Sequence, residues 1–118
     1  MTMPDLTVTW GTCGDNGHWC DFANLNLDHE VFNNLRGVYI IWNNDTVVRV
    51  GSGIIRDRIA AHREDEEITA YNNLVVTWAR VNANQMEGVE KYLADRYNPA
   101  VGERFPDRTP ISVNLPAI

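Results

Sequence analysis

Apolar and polar residues alternate through Leu6-Thr7-Val8-Thr9-Trp10, and this period of two predicts a short strand. Residues 11–27, with Gly11, Gly14 and Gly17, have the composition of a loop, and Asp28 is placed to N-cap a short helix ending near Leu35. Gly37-Val38-Tyr39-Ile40-Ile41-Trp42 is rich in β-branched and aromatic residues and predicts a strand. The turn cluster Asn43-Asn44-Asp45 and the run Thr46-Val47-Val48-Arg49-Val50-Gly51 complete a β-hairpin. Ser52-Gly53 then leads into a helix over about residues 54–66, with Ile55, Ile59 and His62 on one face. Residues 74–81 form the strongest strand pattern in the chain. Asn84 and Glu87 have capping-box spacing and open a helix with an apolar stripe of Met86, Val89, Leu93 and Tyr97, which must stop before Pro99. Ile111-Ser112-Val113-Asn114-Leu115 is a candidate last strand. From residue 37 the order β-β-α-β-α predicts an α+β fold: a single domain with a small central antiparallel sheet flanked by helices.

The length of 118 residues suits one domain and one modest core. No apolar run approaches the roughly 18 residues of a membrane span. Met1 to Asp5 show no basic or apolar leader, so the expected location is cytoplasmic and the two cysteines are expected to be reduced. The net charge of −6 argues against tight non-specific binding to nucleic acid. Its distribution changes the picture. Residues 1–34 hold Asp5, Asp15, Asp21, Asp28 and Glu30 and no Lys or Arg, and read as an acidic N-terminal extension packed on a domain of residues 35–118. That domain carries all ten basic residues, of which only Lys91 is not Arg, against eleven acids. Arg grips phosphate through a planar fork, so near-neutral, Arg-biased composition leaves phosphate chemistry open.

Five ordered elements carry a resemblance. Gly37-Val38-Tyr39 lies on one hairpin strand and Arg49-Val50-Gly51 on the next. Arg58 and His62 stand four residues apart on the following helix. Glu90 stands on the last helix, with Leu93 three residues on and Pro99 nine residues on. Over residues 36–102 this arrangement resembles the GIY-YIG nuclease family, whose hairpin bears Gly-Ile-Tyr and Tyr-Ile-Gly. In that family a helix with Arg and His follows, then a helix with a metal-binding Glu, a Pro and an Asn.

The resemblance implies a metal-dependent endonuclease that hydrolyses phosphodiester bonds. It gives Tyr39 the activation or orientation of water, and Arg58 and Arg49 the neutralisation of developing charge. His62 assists Tyr39 or the phosphate, and Glu90 binds a single Mg²⁺ or Mn²⁺. Simpler roles stand beside these: Tyr39 as a core aromatic, Arg58 as a solvated cation, His62 in a local pair with Glu66, and Glu90 paired with Arg80 or Arg96. The chain departs from the family at Arg49, where a tyrosine is usual, and at Gly102, where Asn is usual; Asn98 and Asn114 are the nearby candidates to replace that Asn. Arg is always protonated and cannot be a base.

Nucleic acid, DNA favoured over RNA, is the expected partner, with a homodimer or a second protein as a source of target choice. Arg49 and Gly102 also suit an inactive nucleic-acid-binding module, and the acidic residues 1–34 suit a protein-interaction domain. Cys13, His18 and Cys20, with His29 further off, offer an incomplete zinc set, and free thiols are the simpler reading. Glu64-Asp65-Glu66-Glu67 reads as a solvated helix end that a nucleic-acid path should avoid.

Overall fold

The computed structural model describes residues 3–102 and 105–118; Met1 and Thr2, part of the segment read for a leader, lie outside them. The chain folds as one α+β domain around a four-stranded antiparallel sheet. The strands are β1 (Cys20–Asp21), β2 (Arg36–Trp42), β3 (Val47–Ile54) and β4 (Val75–Arg80), in the order β1-β4-β2-β3. The helices are α1 (Ile55–Arg63), α2 (Glu66–Thr69) and α3 (Met86–Tyr97). The alternation along β2 divides the core. Tyr39 and Ile41 face a cluster with Ile55 and Ile59 of α1 and Ile68 of α2, whereas Val38, Ile40 and Trp42 face Val89, Leu93 and Ala94 of α3. All three layers are needed because β2, central in the sheet, is apolar on both faces.

Several expectations are corrected. Residues 6–10 and 111–115 do not form strands; they meet through a single parallel bridge, Leu6 to Val113. Side chains hold them instead. Asn114 accepts from Val8 N at 2.7 Å and donates to Val8 O at 2.9 Å, and Trp10 Nε1 donates to Asn114 O at 2.8 Å. The helix at Asp28 is a 3₁₀ turn, Glu30–Phe32, capped by His29 Nδ1 accepting from Val31 N. The helix over 54–66 breaks after Arg63, because Asp65 turns extended and caps α2 through Glu67 N. The capping box at Asn84 does not form: Gln85 occupies the cap without a side-chain bond, and Glu87 pairs with Arg108 at 2.6 Å.

Cys13 and Cys20 are joined in a disulfide. The expected free thiols are therefore absent, and both sulfurs are withdrawn from any zinc set; His18 bonds Asn16 instead. Disulfides persist in oxidising surroundings and are reduced in the cytoplasm, so this bond and the expected location pull in opposite directions. No helix among the described residues is long and apolar enough to cross a membrane.

Candidate active site

β2 and β3 pair with Tyr39 opposite Gly51, Ile41 opposite Arg49 and Val38 opposite Ser52. Tyr39 and Arg49 therefore point to the α1 side of the sheet, and Ser52 to the α3 side. β3 is an edge strand, so side chains from its two faces can meet around that edge.

Tyr39 is fully buried, and its hydroxyl lies 2.5 Å from Nε2 of His62. The ring reaches that position only because residue 51 is glycine: a Cβ there would fall 2.1 Å from the Tyr39 hydroxyl oxygen. His62 comes from α1, one turn after Arg58, and is 8 % exposed. Burial, reinforced by Arg49 and then Arg58 and opposed by Asp65, pushes the imidazole from its ordinary 6.5 down to about 4. His62 is thus neutral at neutral pH and is bonded to Tyr39, not paired with Glu66.

Glu90 is also 8 % exposed. Its Oε1 accepts from the Ser52 hydroxyl at 2.6 Å, so its partner is neither Arg80 nor Arg96. Burial raises the Glu90 carboxyl above its usual value; the Ser52 hydrogen bond, Arg49 and Arg58 oppose the rise, and Glu87 adds to it. Arg49 and Arg58 thus act on His62 and on Glu90 alike, which puts both cations within electrostatic reach of both pairs.

The arginines of α1 divide sharply in their contacts. Arg56 donates from Nε to Leu27 O at 2.6 Å, and Arg63 donates to Phe22 O and Leu25 O, so both are tied to the N-terminal extension. Arg58, by contrast, keeps its buried Nε without a hydrogen-bond partner among the described residues. The Nε of Arg49 is buried and unpartnered in the same way, and the two ion pairs among these residues, Lys91–Asp95 and Arg108–Glu87, involve neither arginine. A long bond from Nη1 to Val101 O at 3.5 Å and the Phe105 ring, 5.7 Å from Cζ, hold the Arg49 head. Gly102, at φ 116°, lies directly against it: a Cβ there would fall 2.1 Å from Nη1. The two departures from the family pattern thus touch each other. Neither asparagine takes the family's place by contact with this cluster. Asn98 is the left-handed C-cap of α3, and Asn114 clamps the N-terminal segment.

A divalent ion fits the Glu90 carboxylate in one form only. No group of three or more His, Cys, Asp or Glu converges among the described residues, so a cage built wholly from protein is absent. A water-rich Mg²⁺ or Mn²⁺ needs only one or two carboxylates, and Glu90 offers a carboxylate with one oxygen fixed by Ser52. Burial of that carboxylate is costly; Ser52, Arg49 and Arg58 offset the cost in part, and a bound ion would offset more of it.

Sequence reasoning missed two features. Ser52 carried no signal, because a serine after Gly51 reads as loop. A cavity of about 760 Å³ on the same face of the sheet as Tyr39 but toward β4 and β1, with Phe32, Leu35, Trp78, His29 and Arg80 among its lining residues, is lined by none of the five candidate residues. No family model matches the chain, and neither the curated proteins nor the solved structures contain a match to it.

Proposed function

We propose that the chain is a metal-dependent endonuclease acting on phosphodiester bonds of nucleic acid, DNA before RNA. The observation that carries this reading is that Arg49 and Arg58, each with a buried Nε that has no hydrogen-bond partner among the described residues, act electrostatically on both a Tyr–His pair and a buried carboxylate. Arg49 and Arg58 bind the scissile phosphate and meet the charge that develops on it. His62, neutral and the more exposed member of its pair, takes a proton from incoming water, and Tyr39, which has no exposed surface, fixes the imidazole ring. Glu90, oriented by Ser52, would hold Mg²⁺ or Mn²⁺, which supplies Lewis-acid stabilisation of the phosphate and leaving oxygen. A cytoplasmic setting and a partner or second copy that selects the target belong to the same reading. The enclosure of Tyr39 favours one rival, an inactive nucleic-acid-binding module.

The test is cleavage of single-stranded, nicked and branched DNA and of RNA, with Mg²⁺ or Mn²⁺ and with EDTA. Wild type is compared with Glu90→Gln and His62→Ala. Cutting should need metal, vanish in Glu90→Gln and fall about 100-fold or more in His62→Ala. Without metal, Glu90→Gln should melt about 2–5 °C above wild type, since it removes a buried charge, so its inactivity is not unfolding. A folded wild type that cuts nothing under either metal would sink the nuclease and leave the binding module.

A further inference from the structure

Where the family pattern has one arginine and a neutral phenol, this chain sets two guanidiniums. Each carries a buried Nε–H with no acceptor among the described residues, and such a group is destabilising until an acceptor arrives. A guanidinium fork matches phosphate oxygens two at a time. With His62 neutral, two cations, Arg49 and Arg58, act on both His62 and Glu90; among the described residues Asp65 acts on His62 alone and Glu87 on Glu90 alone.

An internal phosphodiester carries one negative charge, whereas a terminal phosphate monoester carries up to two. The monoester therefore suits a pair of guanidiniums better. The shape of the site points the same way. Ala100 N and Val101 N bond to Val47 O and Val48 O, which covers the start of the β3 edge. Gly102 and Phe105 then close around the Arg49 head. The site is walled on that side, which suits a strand end better than a strand passing through.

We propose that Arg49 and Arg58 form a cradle for a terminal phosphate monoester, and that the cradle fills without a metal ion. The proposal rests on the phosphate-handling reading of this cluster but not on cleavage.

The experiment is titration of the whole chain in EDTA, followed by calorimetry and by the NMR signals of the His62 ring. The ligands are inorganic phosphate, a short single strand phosphorylated at one end, and the same strand without the phosphate. Phosphate should perturb His62, and the phosphorylated strand should bind roughly tenfold or more tightly than its twin. Arg49→Gln and Arg58→Gln should each remove that preference. If inorganic phosphate binds as tightly as the phosphorylated strand, the free anion is the ligand and the cradle stands. Equal binding of the two strands by wild type, or a preference that survives in Arg49→Gln, would overturn the proposal whatever the variants' stability. A chain that cuts nothing can pass this test, and an active nuclease can fail it, so the two readings fall separately.

Discussion

Burial acts on His62 and Glu90 in opposite directions, because the charged form is a cation in one and an anion in the other. His62 has a folded value of about 4 against 6.5 when exposed, so the unfolded chain takes up the proton first. Its contribution to stability is complete above about pH 6.5 and is lost as pH falls toward 4. Glu90, shifted upward, contributes most where it is protonated and weakens the fold as pH rises through its raised value. Urea unfolding at a series of pH values should show wild type losing on the order of 2 kcal/mol through His62 between these limits. The slope should flatten in His62→Gln and steepen in Glu90→Gln; an unchanged slope in His62→Gln would contradict the burial argument. At this scale the sequence was informative about which residues meet only where spacing encodes contact. Arg58 and His62 share a helix face at four residues, so their convergence could be read. Ser52 reaches Glu90 across 38 positions, and nothing local announces it.

Among the elements, β2, β3, β4 and α3 are close to what periodicity predicts, since each has a long apolar pattern with one outcome. The failures are the short segments. Leu6 to Trp10 alternates like a strand, yet a single bridge and the Asn114 clamp were enough to satisfy its backbone. Residues 11–27 had the composition of a loop and gave no sign of β1, because the order of this segment comes largely from outside it. Arg63 holds the carbonyls of Phe22 and Leu25, Gly11 N donates to Trp78 O at 2.8 Å, and the disulfide closes Cys13 onto Cys20. A bond closing so short a loop stabilises by about 2 kcal/mol in the chain-entropy view. Reduction with dithiothreitol should therefore lower the melting temperature by several degrees, and Cys13→Ser with Cys20→Ser should match the reduced wild type. A melting temperature indifferent to reductant would show that Arg63 and the β4 contacts hold the loop unaided.

For the whole molecule, the sheet order places the candidate site at the β3 edge and β1 of the N-terminal extension on the opposite edge, beyond β4. The α+β architecture was legible because a doubly apolar β2 requires cover on both faces. The wrapping of the site around an edge was not, because strand order depends on contacts far apart in sequence. One feature of that edge also constrains how this sequence could have arisen. Arg49 occupies space that only a glycine at 102 leaves open. A side chain introduced at position 102 while Arg49 remains would collide with it, and a tyrosine introduced at position 49 would lose the contacts of the guanidinium with Val101 O and the Phe105 ring. The two sites are therefore epistatic. Gly102→Asn and Arg49→Tyr should each destabilise the fold by about 1–3 kcal/mol, and the double change by less than their sum. Strict additivity in a double-mutant cycle would show that the sites vary independently. If they are coupled, Arg49 holds position 102 at glycine, and that position is free to vary only once residue 49 has changed.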